Sequence, residues 1–472
     1  MAAATIKNRD DMKKKYWIVI GVVAILPLLI AAEIVSNMRS GSVQESPFSK
    51  VPSVLPERPV PSNKLLDDKT LALAAEQIPA VAAAWQADVK QRARAIRSLW
   101  SEDFSDLQFL KPILAGKRIV QLGESTHGAA EFNWMKLRLI KFLHQEMGYD
   151  VLAFESSMPG IYFENDNVTE RPPVKVMRDT LFGTWHTEEV VELFQYVQAQ
   201  RKDGRTLALA GFDSQDSSAS SSEIVARLLR ESLAEIDPAL LAALAKHEAR
   251  LQKYYNPGPF PQVEAGESLA FYRTAASTLS ANRERLSKQF RDPARADLVI
   301  QVTKSRMALV EQLQSAGGYA IRDRAMADNL DFLLDKAYPG RKIIVWAHNA
   351  HVAHTADFLG VKPMGAWLAE RRRAELYTVG LVMGRGVAST VQPRQAYEIA
   401  APPANSLEGV LASAGLKMAF VDFSKATSTP ESAWIHETIN TRDWGVMSRQ
   451  TVPFKAFDGV IYIDSVTPPK YQ

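Results

Sequence analysis

Apolar runs of strand length alternate with amphipathic stretches along most of the chain after residue 65. The strand-type runs cover residues 118–122, 149–154, 206–210, 342–346, 376–381, 418–423 and 459–463. The helical stretches between them include 129–147, which ends before Gly148, and 188–201. Because buried strands that alternate with helices are typical of parallel sheets, the pattern predicts an α/β fold with a mostly parallel central sheet flanked by helices.

The stretch from about 221 to 336 interrupts this alternation. It is rich in Ala, Leu, Arg, Glu and Lys and is punctuated by prolines. This pattern predicts a large inserted helical region between the third and fourth strands. Both a cap over a cleft and a separate lobe are compatible with it.

The N-terminus has a different pattern. Residues 16–32 form an uncharged run of 17, and basic residues precede it. A helix of that length spans about 25 Å, close to the hydrocarbon thickness of a bilayer. We therefore predict that residues 1–36 hold a basic cytoplasmic tip and a transmembrane anchor, with a cleaved signal peptide as the alternative.

A segment rich in proline and serine, 37–64, follows the apolar run and is typical of a linker. The rest of the chain, 65–472, would form the functional domain. Since the basic flank stays on the cytoplasmic side, this domain is expected on the exported side of the membrane, periplasmic or extracellular.

The composition of the chain excludes cysteine-dependent chemistry and argues against nucleic-acid binding. The chain has no cysteine, which excludes disulfides, thiolate metal sites and a cysteine nucleophile. Its net charge is +3, and its basic residues are spread out. Because nucleic-acid binding requires a concentrated basic surface, no nucleic-acid partner is expected. With 46% hydrophobic residues, the chain can bury a sizeable core.

Acidic side chains and imidazoles follow four of the predicted strands. They are Glu124 and His127 after the first, Glu155 after the second, Asp213 after the third, and His348 and His351 after the fourth. Ligands of parallel α/β sheets bind beyond the carboxyl ends of the strands. The positions therefore predict one active site that contains Glu124, His127, Glu155, His348 and His351.

Each of these signals also has a simpler interpretation. Taken alone, the carboxylates could cap helices or form ion pairs, and the histidines could be structural. The spacing of glycines in 123–128 lacks the lysine of a phosphate-binding loop. Three histidines and two glutamates are, however, a sufficient ligand set for zinc, manganese or iron. Arg138 lies eleven residues after His127 on the same helix face and could bind substrate.

The sequence resembles the erythromycin esterase family over roughly residues 95–465. The motifs that carry the resemblance are GESTHGAAEFNWMKLRLIKFL, VLAFESS, RDRAMADNL and VWAHNAHVA. The resemblance implies a hydrolase that opens a macrolide lactone by attack of water, without a covalent serine intermediate. It implies that His127 is the general base and that Glu124, Glu155, His348 and His351 complete the site. It also implies a basic residue on the following helix, here Lys136, and an Arg-Asp pair, here Arg322 and Asp323.

These observations favour an ester or lactone hydrolase with a small-molecule substrate that need not be a macrolide. No cofactor is expected, although a divalent metal held by the same five residues stays possible. The candidate substrate-binding residues are Lys136, Arg138, Asp213 and Arg322. Two alternatives remain open: a metal-dependent hydrolase, and a non-catalytic protein that binds an envelope glycan or lipid.

Overall fold

The computed structural model describes residues 46–52, 54–165, 167–255, 260–315, 318–356 and 360–472. The predicted anchor within 1–36 lies outside these residues and stays a prediction. Across the described ranges, no helix is both long and apolar enough to cross a membrane.

The described chain forms two compact units. The sheet unit contains Ser46–Phe154, Thr187–Ala208 and Gly340–Gln472. The helical unit contains Glu155–His186 and Leu209–Pro339, and so includes the region predicted as a helical insertion.

The strands occur where the apolar runs predict them, with four additional short strands. Their bounds are β1 Arg94–Ala95, β2 Ile119–Leu122, β3 Val151–Ser157, β4 Ala208–Asp213, β5 Ile343–Trp346, β6 Leu376–Ser389, β7 Ala396–Ile399, β8 Met418–Asp422, β9 Ile439–Asp443, β10 Met447–Thr451 and β11 Gly459–Val466. The four that the sequence analysis missed are β1, β7, β9 and β10. They are short or carry many polar side chains.

In the sheet unit the strands follow the order β1-β8-β11-β6-β2-β5-β3, and β7 pairs with β6. The pairs β11–β6, β6–β2, β2–β5 and β5–β3 are parallel. Strands β1 and β7 pair antiparallel with β8 and β6, and β8 pairs antiparallel with β11. The predicted α/β fold with a mostly parallel central sheet is therefore confirmed. Every residue of β2 and β5 is buried, which explains their continuous apolar sequences.

Strand β3 continues into the helical unit, where its last residues lie beside β4. A side chain at Gly211 of β4 would meet the carbonyl oxygens of Ser157 and Ser156 at 2.4 and 2.6 Å. This close approach of two backbones requires glycine.

Helices account for most of the remaining regular structure. Their bounds are Asp68–Leu71, Ala83–Arg92, Leu110–Ile113, Ala130–Met147, Met158–Glu164, Pro173–Thr180, Glu188–Lys202, Ala219–Ala234, Pro238–Tyr254, Gln262–Ala281, Arg283–Phe290, Pro293–Gln314, Gly318–Phe332, Asn349–Val352, Met364–Arg372, Leu407–Ala412, Ala433–His436 and Pro453–Ala456. The long helices between 219 and 332 belong to the helical unit, and Ala130–Met147 belongs to the sheet unit.

The first described residues, within the segment predicted as a linker, have fixed contacts on the sheet unit. Arg58 forms an ion pair with the buried carboxylate of Glu189. The amide of Glu398 in β7 donates to the carbonyl of Lys50 at 2.9 Å.

Candidate active site

Two neighbouring parallel strands position the first part of the site. Strands β2 and β5 pair in register, with Leu122 opposite Trp346, so the loops that follow them begin at the same edge of the sheet. The amide of Asn349 donates to the carbonyl of Glu124 at 2.8 Å and joins the two loops. A side chain at Gly123 would approach Asn349 Oδ1 to 2.1 Å, which explains glycine at this position.

Glu124 lies at the centre of a buried group of charges. Its Oε2 is 2.5 Å from Lys136 Nζ, and its Oε1 is 2.6 Å from His127 Nδ1. Burial alone would raise the pKa of Glu124, but attraction to Lys136 and the hydrogen bond with His127 outweigh it and hold the pKa below its usual value. Glu124 is therefore a carboxylate at neutral pH.

The carboxylate determines how the proton of His127 is placed. Since an ionised carboxylate only accepts hydrogen bonds, the 2.6 Å contact requires that His127 Nδ1 carries a proton and donates it. In the neutral imidazole, Nε2 then carries the lone pair. Only 5% of His127 is exposed, so this base lies in a largely water-excluded environment.

His348 has the opposite arrangement of its ring nitrogens. It caps the short helix Asn349–Val352, and its Nδ1 accepts a hydrogen bond from the Ala350 amide at 3.1 Å. The neutral ring therefore carries its proton on Nε2, which lies 3.7 Å from Asp443 Oδ1. The ring centroids of His127 and His348 are 5.1 Å apart. The two imidazoles thus form an adjacent pair, with an acceptor nitrogen on one and a donor nitrogen on the other.

Trp444 contacts both imidazoles, and the sequence analysis missed it. Its ring stacks on His348 at 5.6 Å between centroids and presents an edge-on contact to His127 at 5.6 Å. Trp444 and Asp443 lie at the turn between β9 and β10, far along the chain from both histidines. Only the Trp444-Gly445 pair, a turn signal, marks the place in the sequence.

His351 lies in the helix Asn349–Val352 and is fully buried. Its amide donates to the carbonyl of His348 at 3.0 Å. The structure therefore places four of the five predicted catalytic residues in the sheet unit: Glu124, His127, His348 and His351.

The fifth, Glu155, belongs to the helical unit, where it forms a buried cluster with two other predicted residues. Arg322 Nη2 donates to Glu155 Oε1 at 2.7 Å and to Asp213 Oδ2 at 2.5 Å. Arg322 Nε also donates to Asp213 Oδ2 at 3.1 Å. Burial alone would lower the pKa of Arg322, but attraction to Asp213 and Glu155 raises it well above its usual value. Asp323, the neighbour of Arg322, is buried as well.

Two of the predicted substrate-binding residues are engaged within the sheet unit. Lys136 is fully buried, pairs with Glu124, and donates to the carbonyl of Ala347 at 3.1 Å. Its ammonium group also lies 4.6 Å from the centroid of the Trp346 ring. In this position Lys136 acts on the charge state of Glu124.

Arg138 directs all five of its N–H groups to protein acceptors. Its guanidinium donates to the carbonyls of Ser98, Ser101 and Asp103 and to both carboxylate oxygens of Asp106. These contacts anchor the loop before the helix Leu110–Ile113 and use every donor that a guanidinium offers. They do not support the prediction that Arg138 binds substrate.

In the part of the chain that the structure describes, no group of three or more histidine, aspartate or glutamate side chains is arranged to hold a metal ion. The arrangement that is present is a carboxylate in contact with one imidazole, and a second imidazole beside the first.

Comparison with known proteins extends these findings. The erythromycin esterase family model matches residues 144–466. A Bacillus subtilis (strain 168) protein named "Putative hydrolase YbfO" is 32% identical over 395 residues, which cover 77% of this chain and 87% of that protein. Erythromycin esterase type II of Escherichia coli is 22% identical over 406 residues, covering 79% of this chain and 95% of that protein.

Two solved structures share the fold. One is a Bacillus cereus protein, with a TM-score of 0.69, 20% identity, and coverage of 82% of this chain and 98% of that chain. The other is a mutant of the erythromycin esterase EreC in its open conformation, with a TM-score of 0.59, 18% identity, and coverage of 78% and 95%. At these identities the likeness shows the fold alone.

The α/β fold and the similar sequences define the class of this protein, which is a hydrolase. The chain belongs to the erythromycin esterase family, because the family model matches more than half of its length. The membership that the motifs predict is confirmed. The matched range begins at residue 144, after Glu124, His127 and Lys136, and the roles of the site residues stay predictions.

Proposed function

We propose that this hydrolase cleaves an ester or lactone bond of a small molecule by attack of a water molecule that His127 activates. The observation that supports the proposal is the 2.6 Å contact between His127 Nδ1 and the buried, ionised Glu124. A neutral histidine whose Nδ1 donates to a carboxylate carries its lone pair on Nε2, and that nitrogen is then the one that can accept a proton.

In the proposed reaction, Nε2 of His127 takes one proton from water while the water oxygen bonds to the carbonyl carbon. Glu124 stabilises the imidazolium that forms, and Lys136 keeps Glu124 ionised. The tetrahedral intermediate then expels the alkoxide by breaking the carbon–oxygen bond. The imidazolium returns its proton to the leaving oxygen, which yields an acid and an alcohol and restores the neutral base.

His348 is proposed as the donor to the negative oxygen of the intermediate. Its Nδ1 is occupied by the Ala350 amide, so a neutral ring has its N–H at Nε2. Such a donor stabilises charge that appears only as the reaction proceeds. Asp443 faces this nitrogen at 3.7 Å, a distance that a water molecule can bridge.

The substrate class is drawn from the family together with this acid–base pair. Some relatives are named erythromycin esterases, and we propose an ester or lactone without requiring a macrolide. The contribution of Glu155 to the same reaction, the absence of a cofactor, and an anchored, exported domain remain proposals from the sequence.

The deciding experiment is a hydrolysis screen of the purified protein on a library of esters and lactones that includes macrolides, with His127→Ala as a matched variant. We expect turnover by the native protein and a fall in kcat of about 10²- to 10⁴-fold in the variant. Equal turnover by the two proteins would contradict the assignment of His127.

Two further experiments distinguish this proposal from a metal-dependent hydrolase and from a non-catalytic binding protein. Chelator treatment is expected to leave the rate unchanged, and activity lost and then restored by one ion would favour a metal-dependent hydrolase. Ligand binding without product across the whole library would favour a binding protein.

A further inference from the structure

Phe48, near the start of the described chain, contacts residues that adjoin the imidazole pair. Its ring meets Tyr397 of β7 edge-on at 5.0 Å between centroids and Trp444 edge-on at 6.5 Å. Only 8% of Phe48 is exposed. The hydrogen bond from the Glu398 amide to the Lys50 carbonyl holds the same segment along β7. Phe48 is thus a fixed part of the sheet unit.

Tyr397 connects this contact to the loop that carries His127. Its hydroxyl donates to the carbonyl of Trp444 at 2.9 Å and lies 3.5 Å from Thr126 Oγ1. The amide of Trp444 donates to the carbonyl of Ser125 at 2.8 Å. Two residues that directly precede His127 are therefore joined to the Trp444 turn.

The backbone of Trp444 is in a conformation that it would not adopt unaided. Its φ is 56°, which lies in the left-handed region that residues with a Cβ atom rarely adopt. Such a conformation persists only where surrounding contacts over-determine it. Besides its ring contacts with the two imidazoles, Trp444 has the hydrogen bonds from Tyr397 and to Ser125 and the packing of Phe48.

We propose that Phe48 is a positioning residue of the active site, which acts through Tyr397 and Trp444 to hold the imidazoles of His127 and His348 in their reactive orientation. The inference rests on the proposed function of these two histidines. Removing the Phe48 ring leaves a space beside Trp444 and releases the strained turn, so both ring contacts of Trp444 with the imidazoles loosen. Small displacements of catalytic groups reduce the chemical step more than substrate binding.

The test compares Phe48→Ala with Phe48→Tyr in the full chain, using a substrate from the hydrolysis screen. We expect Phe48→Ala to lower kcat about 10- to 100-fold with KM within about twofold, and Phe48→Tyr, which keeps the ring, to stay near the native rate. In a Trp444→Ala background, Phe48→Ala should lower kcat no further, because the coupling runs through Trp444.

Phe109→Ala is the matched control, since Phe109 is an aromatic residue of the same unit whose ring packs on Phe420 of β8 at 5.3 Å. Its kcat should equal that of the native protein. If Phe48→Ala does not fold, Phe48→Leu replaces it, with a smaller fall in kcat expected.

Native kcat in the folded Phe48 variant, with His127→Ala inactive, overturns this inference and leaves the proposed function intact. Full activity of His127→Ala overturns both. An equal fall in kcat for Phe48→Ala and Phe109→Ala also overturns the inference, because the effect would then follow from general loss of packing.

Discussion

The two units each bury a cluster of charges at the ends of parallel strands, and the clusters are built in opposite ways. In the sheet unit, one carboxylate, Glu124, lies between a lysine and an imidazole. In the helical unit, one guanidinium, Arg322, lies between the carboxylates of Glu155 and Asp213. Both clusters are almost completely shielded from solvent.

The difference lies in which member can exchange a proton near neutral pH. An imidazole is a side chain of that kind, and the contact with Glu124 places the lone pair of the neutral His127 ring on Nε2. A guanidinium is not, and the neighbouring carboxylates raise the pKa of Arg322 further. The first cluster is therefore suited to acid–base chemistry. The second ties the end of β3 to the end of β4 and to the helix Gly318–Phe332.

The largest effect is expected from Glu124→Gln. An amide can still bond to the imidazole, but it neither requires a proton on Nδ1 nor stabilises the imidazolium. We expect kcat to fall about 10²- to 10⁴-fold, as measured by steady-state kinetics on the substrate found in the screen.

The same change leaves the buried ammonium of Lys136 without its carboxylate, so stability needs its own control. In Glu124→Gln/Lys136→Met the unpaired charge is gone, and the thermal midpoint should recover while kcat stays low. If kcat recovered together with the midpoint, Glu124 would have only a structural role.

Substitutions in the Arg322 cluster of the helical unit should lower the stability of the protein. Arg322→Met removes the guanidinium that Glu155 and Asp213 both contact, and breaking a buried ion pair in this way costs about 3–5 kcal/mol. We expect a loss of that size in the free energy of unfolding, measured by urea denaturation.

A compensated variant tests whether charge is the cause. In Arg322→Met/Glu155→Gln/Asp213→Asn the three charges of this cluster are gone together, and most of the lost stability should return. A triple variant no more stable than Arg322→Met would show that the bidentate hydrogen-bond geometry, and not charge balance, holds this region.

The sequence predicts where the residues of these two clusters lie along the chain, but it does not predict which partners their side chains contact. Parallel strands buried on both faces leave continuous apolar runs, so β2, β3, β4 and β5 and the polar residues that follow them can be read directly. No pattern in the sequence indicates how those polar side chains are oriented. Periodicity places Arg138 on the face of His127, yet its acceptors come from a loop some thirty to forty residues earlier.

The same limit applies to the turn between β9 and β10. Those strands form a separate two-stranded sheet and carry polar residues, so they lack the apolar run that marks the other strands. The contacts of Trp444 with His127 and His348 depend on packing across some three hundred and one hundred residues of chain. A long-range contact of this kind has no local pattern.

A smaller effect should follow from Lys136→Met, which tests the ammonium by itself. Attraction to Lys136 offsets the effect of burial on the pKa of Glu124. Without the Lys136 ammonium, the pKa of Glu124 rises. Since the proposed reaction needs ionised Glu124, the acidic limb of the profile of kcat/KM against pH should move to higher pH. Measuring kcat/KM against pH for the variant and the native protein shows whether the limb moves in this direction.

The control for Lys136→Met is Lys141→Met on the same helix, where the lysine pairs with the exposed Glu102. Its pH profile should match that of the native protein. An unmoved acidic limb in Lys136→Met would mean that the ammonium does not set the ionisation of Glu124.

The smallest effect concerns Glu131, another buried carboxylate, on the same helix as Lys136. Its oxygens accept bonds of 2.7 Å from the amide and hydroxyl of Thr467. Burial raises the pKa of Glu131 from an ordinary 4.5 to about 7, and the nearby carboxylate of Glu189 adds to the effect.

Since the folded protein holds this proton more tightly than the unfolded chain, the stabilising contribution is complete below pH 4.5 and is lost as the pH rises through about 7. Between pH 6 and pH 8 the native protein should lose about 1 kcal/mol of unfolding free energy relative to Glu131→Gln, which does not titrate. Urea denaturation of both proteins at several pH values measures the difference. Parallel stability curves would mean that Glu131 is ionised in the folded protein at all of these pH values, which would contradict a pKa raised by burial.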